Sequence, residues 1–174
     1  YYIKGAVVVS TKIVFPPRNA DVIGVLDTEA NDGAGVMSTV SLQGKVRGSS
    51  KLDGGALVGS RVYMAPYYAN VVGVYDTAAI GGEGQFHTIR VGRGSSTSTK
   101  YRGSAVVGDK VYFAPFRAGA VGVVDTSANE DAGAFHVLSM EDKVSGGAIF
   151  AGAAVVGNKV YFAPSSANCI GVLE

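Results

Sequence analysis

Three Asp-Thr pairs, Asp27-Thr28, Asp76-Thr77 and Asp125-Thr126, recur at intervals of 49 residues. Carboxylates beside hydroxyls are the hard oxygen donors a calcium ion takes, and the first copy, "DTEANDG", carries several more of them. The spacing nevertheless departs from a calcium loop. Gly33 comes one position late, no closing Glu follows, and the second copy, "DTAAIGGEG", loses most of the donors. Asp and Thr leaving a strand close the following turn through side-chain-to-backbone hydrogen bonds, and that is the role expected of these pairs.

The other reactive side chains are sparse. His87 and His136 also stand 49 residues apart, but Ser38 occupies the corresponding place in the first copy, and no nucleophile or orienting carboxylate flanks either one. Both are expected to face solvent. Cys169 is the single cysteine and shares a repeat position with Val22, Val71 and Ala120, so a buried, inert thiol is expected. The stretch "VGRGSSTSTKYRG" is Gly-rich but lacks the Gly-Lys-Ser/Thr ending of a phosphate loop and leads into a strand pattern, not a helix. No catalytic residue, metal or cofactor is therefore assigned.

The elements that position these residues are written four times. Gly5, Gly54, Gly103 and Gly152 align without gaps, and Lys12, Arg61, Lys110 and Lys159 then share a column, as do Pro17, Pro66, Pro115 and Pro164. The chain reads as one domain over residues 1–174, with repeats of approximately 1–49, 50–98 and 99–147 and a partial fourth at 148–174. In the third copy, "GSAVVG", "KVYFAP", "AVGVVDT" and "AFHVLSM" are short β-rich or alternating segments separated by turn residues, and no helical period appears. Four antiparallel strands per repeat of this length make a propeller blade. The first strand, small in "GGA" and "GSA", would line the crowded channel, and the alternation in the second would turn opposite faces toward adjacent blades.

The succession "KVYFAP", "VGVVDT", "IRVG", "GSAVVGDKVYF" resembles the surface-layer, YVTN-type β-propeller repeat. The likeness covers essentially the whole chain, with "AP" standing where that family often has Val-Thr-Asn or Ala-Asn. It implies an all-β propeller and a secreted, cell-surface or organelle-lumen location. It does not imply one activity, because related propellers serve as adhesins, scaffolds, ligand binders and enzymes.

Charge placement is the strongest functional signal. Net charge is +1, with 17% charged residues, which argues against a generally basic nucleic-acid binder, and no apolar run is long enough to span a bilayer. The loops joining second to third strands and blade to blade carry Lys4, Arg18, Lys45, Arg47, Lys51, Arg93, Lys100, Arg102, Arg117 and Lys143, opposed mainly by Asp21, Asp53, Glu141 and Asp142. The turns from third to fourth strand carry only acids. A ligand surface is expected on the positive face, built from Arg18, Arg47, Tyr67, Tyr68, Arg93, Arg102, Phe116 and Arg117, for a protein partner or an anionic polysaccharide. The expected function is a noncatalytic binding platform or subunit of a larger assembly; the alternatives are a propeller lyase or hydrolase and a purely structural subunit. Against an enzyme, the channel strands offer mainly Gly, Ala and Val, with no paired carboxylates. The fourth copy reaches only the third strand's acidic column at Glu174, so the expectation is an open arc or part of a larger propeller, with self-association completing it.

Overall fold

The computed structural model describes residues 5–42, 44–79, 84–92, 99–129, 132–140 and 149–174. Fifteen strands and no helix occur among them. The first sheet is a meander of β1 (Val7–Val9), β2 (Lys12–Phe15), β3 (Val22–Asp27) and β4 (Val36–Ser41). The second holds β5 (Leu52–Val58), β6 (Arg61–Pro66), β7 (Val71–Asp76) and β8 (Gln85–Arg90). The third holds β9 (Tyr101–Val107), β10 (Lys110–Pro115), β11 (Ala120–Asp125) and β12 (Ala134–Ser139). The fourth has three strands, β13 (Phe150–Val156), β14 (Lys159–Pro164) and β15 (Gly171–Leu173).

Register repeats with the sequence. Lys12 pairs with Asp27, Arg61 with Asp76 and Lys110 with Asp125, each basic residue directly across the strand pair from its acid. Because side chains alternate along a strand, each of the two middle sheets buries one face against the preceding blade and the other against the next, and each outer sheet buries the single face that meets a neighbour. Val9, Val14, Ile23 and Val25 of the first blade meet Leu52, Val62, Met64 and Phe86 of the second. Tyr63, Val72 and Val74 meet Tyr101, Val111 and Phe113. Val121 and Val123 meet Phe150, Val160 and Phe162. The cores lie between blades, so no repeat holds a core by itself; each fully buried Val, Leu or Phe contributes about 1.5–3 kcal/mol on leaving water.

The first strands stand side by side, β1 on β5, β5 on β9 and β9 on β13. Gly103 shows how close they come. Its φ is +80°, and a Cβ there would lie 2.8 Å from the Gly152 Cα. Only glycine suits that place. Among the described residues no strand of the first sheet forms a packed interface with the fourth, so the four blades make an open arc.

Candidate functional site

A β-bulge builds the site. Leu52 pairs with Pro66 and Gly55 with Met64, which leaves Asp53 and Gly54 together opposite Ala65. The same slip sets Arg102 and Gly103 opposite Ala114, and Ala151 and Gly152 opposite Ala163. A bulge bends its strand and re-aims the extra residue's side chain, and in the second and third blades Gly54 and Gly103 take the left-handed conformation there. Asp53 and Arg102 are thereby presented where the connections between second and third strands end.

Those connections supply the other members. Arg18, between β2 and β3, donates from Nη1 to the Asp53 carboxylate at 2.9 Å, and its guanidinium lies 4.7 Å from the Tyr67 ring centre. Arg102 approaches the same carboxylate oxygen through Nε at 3.6 Å, and its guanidinium lies 5.1 Å from the Phe116 ring centre. Tyr67 stands 5.9 Å from Phe116 and 5.3 Å, edge-on, from Tyr68. Three blades thus converge on one constellation: two guanidiniums share one buried carboxylate, each over an aromatic ring, with Tyr68 exposed beside them. One carboxylate does not neutralise two arginines, and each planar fork has five donors, so anion-binding capacity remains after Asp53 is served.

Of the expected ligand residues, the structure unites Arg18, Tyr67, Tyr68, Arg102 and Phe116. Arg47 lines a separate cavity of about 340 Å³ with Asn19, Asp21 and Lys51. Arg117 is exposed, and no hydrogen bond or ion pair among the described residues ties its side chain to the cluster. Arg93 lies outside the described residues. Asp53, read in the sequence only as an opposing charge, is the centre. The signal that could have found it is its sharing a repeat column with Arg102, next to the glycine column.

Two expectations about the positive face are corrected. Lys51 and Lys100, counted among the charges of that face, are both buried, because their ammonium groups tie down the loops between second and third strands. Lys51 Nζ donates to the carbonyls of Asn19 and Ala20 and pairs with Asp21 at 3.0 Å. Lys100 Nζ reaches the Tyr68 carbonyl at 3.3 Å, and Asn70 stands in the column of Asp21. With burial and no carboxylate at that column, the Lys100 ammonium titrates below the usual lysine range.

The Asp-Thr pairs close turns as expected. The Asp27, Asp76 and Asp125 carboxylates accept the backbone N–H groups of Glu29, Ala78 and Ser127, and the Thr28, Thr77 and Thr126 hydroxyls donate to the carbonyls of Thr11, Ser60 and Asp109. Burial raises the Asp76 pKa, but hydrogen bonds from Arg61, the Ala78 N–H and Ser60 outweigh it and hold the carboxyl below its ordinary value. Among the described residues no three His, Cys, Asp or Glu side chains group as a metal site. His136 is exposed, whereas His87 is half-buried, and burial together with Arg61 lowers its pKa. Cys169 is exposed where burial was expected: its column-mates Val22, Val71 and Ala120 each pair with a fourth strand, and among the described residues the last sheet has only three strands.

No protein-family model and no curated protein matches the sequence. Solved structures match its fold. A streptogramin B lyase superposes with a TM-score of 0.68 at 16% identity over 98% of this chain and 51% of the lyase. The fold is that of a β-propeller. The computationally designed Ika4 protein matches with a TM-score of 0.65 at 13% identity, covering 99% of this chain and 90% of its own. The designed Ika8 protein matches with a TM-score of 0.59 at 13% identity, covering 98% and 45%. This chain therefore spans about half the length of the lyase and of Ika8. At these identities the likeness concerns the propeller fold, and the lyase's activity belongs to the lyase.

Proposed function

We propose that this chain is a noncatalytic propeller platform that binds an anionic glycan at the Arg18–Asp53–Arg102 constellation. The observation that carries the reading is the sharing of one carboxylate by two aromatic-backed guanidiniums. A uronate carboxylate or a sulfate accepts the remaining donors of the two forks, and the exposed Tyr68 face offers a flat apolar surface to a sugar ring. Asp53 holds both arginines in place before the ligand arrives, which reduces the ordering cost of binding. The sequence resemblance to surface-layer repeats supports a setting in which extracellular polysaccharide is met.

The test is retention of the chain on a sulfated and on a carboxylated polysaccharide, with a neutral one as control. Each arginine makes charge-assisted hydrogen bonds worth about 1.5–3 kcal/mol, so Arg18→Gln and Arg102→Gln should each weaken affinity roughly 10- to 100-fold. Binding should also fall as salt rises. Arg117→Gln should change little. Equal retention on the neutral polymer, or indifference to both central substitutions, would overturn the site. Shortening of the polysaccharide during incubation would instead favour an enzyme.

A further inference from the structure

Each blade has a forward face, turned to the next blade, and a rear face, turned to the one before. The forward columns are Val9, Val58 and Val107, then Ile23, Val72 and Val121, then Val25, Val74 and Val123, and all of them pack into the three cores between blades. Their fourth-blade counterparts are Val156, Ile170 and Val172, exposed by 70%, 64% and 52%. The rear face shows the converse. Leu57 and Phe86 pack into the first core, Val106 and Phe135 into the second, whereas the first-blade counterparts Val8 and Met37 are 64% and 54% exposed.

These two open faces are the halves of one interface that the chain already forms three times. They carry the same residue types in the same columns, and the register that aligns Val8, Ile13, Leu26 and Met37 across the first sheet is the register of the buried rear faces. We propose that a second copy of this chain docks head to tail, the rear face of its first blade seated on the forward face of the fourth blade. The occupant is another copy because the complementary surface is present on every copy, in a packing mode that repeats within the chain. An apolar surface of this kind in water otherwise invites association without direction. The lyase and Ika8, each matched over about half its length, show that propeller chains of roughly twice this length accommodate the same four-blade arc. The interface uses none of the residues of the anion site, so the two proposals stand or fall separately.

The experiment is light scattering or sedimentation of residues 1–174 at tens of micromolar, with circular dichroism to verify folding. The unsubstituted chain should run as a dimer or a higher head-to-tail multiple. Ile170→Lys with Val172→Lys disables only the forward face; Val8→Lys with Met37→Lys disables only the rear face. All four positions are exposed within one copy, so each double variant should fold and run as a monomer. A head-to-tail contact makes a sharper demand: mixing the two double variants should restore a one-to-one dimer, because each retains the face the other lacks. A monomeric unsubstituted chain, a double variant that still associates, or a mixture that stays monomeric would overturn the proposal.

Discussion

Replacing Gly103 by Ala tests the packing of first strands around the channel. Gly103 sits at φ +80°, and the added methyl would stand 2.8 Å from the Gly152 Cα and 3.4 Å from its N, backbone atoms that cannot rotate away. The left-handed conformation costs a non-glycine residue about 1–2 kcal/mol. Forcing a methyl into filled space costs about 1–3 kcal/mol more, offset by about 0.4–1 kcal/mol from a less flexible unfolded chain. The net destabilisation is about 2–4 kcal/mol, or a fall in Tm of roughly 5–15 °C for a chain of this size. Two sister substitutions separate the contributions. Gly54 has φ +69° but its nearest neighbour would be 3.7 Å away, so Gly54→Ala pays for the dihedral angle and little else, about 1 kcal/mol. Gly152 lacks a left-handed φ and its Cβ would meet Ala163 at an ordinary 3.6 Å, so Gly152→Ala should be neutral or gain up to about 1 kcal/mol. The assay is thermal and urea unfolding of all three in the Val8→Lys, Met37→Lys background, so that assembly does not contribute. If Gly103→Ala proves as stable as its parent, or Gly152→Ala the worst of the three, the close approach of first strands is not what glycine serves here.

Two further substitutions follow from comparing repeats. Tyr101 is fully buried, its hydroxyl has no hydrogen-bond partner among the described residues, and burial pushes its pKa up to about 12; Leu52 and Phe150 fill the same column with apolar side chains. Tyr101→Phe should therefore hold or raise stability by about 1 kcal/mol in denaturant melts, and a clear loss would reveal a partner for the hydroxyl. Asn70→Asp should give Lys100 the carboxylate that Asp21 gives Lys51, adding about 0.2–1 kcal/mol near neutral pH. Because the folded-state pKa of Lys100 is lowered, the parent chain should gain stability as pH rises from that value toward the ordinary 10.5. Asn70→Asp should flatten this rise, and an unchanged slope would count against the assignment.

What the sequence determines by itself is whatever a single repeat carries. The 49-residue column of glycines, the alternation of "KVYFAP" and the turn residues between short β-rich runs specify strand, turn and blade, because strand alternation and turn chemistry are local. The Asp-Thr caps were legible for the same reason: donor and acceptor lie two residues apart or across one hairpin. The contacts that build the candidate site are not local. Arg18 reaches Asp53 across 35 residues and a blade boundary, and Asp53 is aimed there by a bulge that sets two residues opposite one. Composition placed Lys51 and Lys100 with the surface arginines, yet packing against the neighbouring blade turned them inward onto loop carbonyls. Cys169 shares a column with Val22 and Val71 and is exposed all the same, because each of those valines pairs with a fourth strand that is not present among the described residues of the last sheet. A repeat encodes the shape of its own sheet; which of its side chains meet a neighbour, a ligand or water is decided only when the sheets are set against one another.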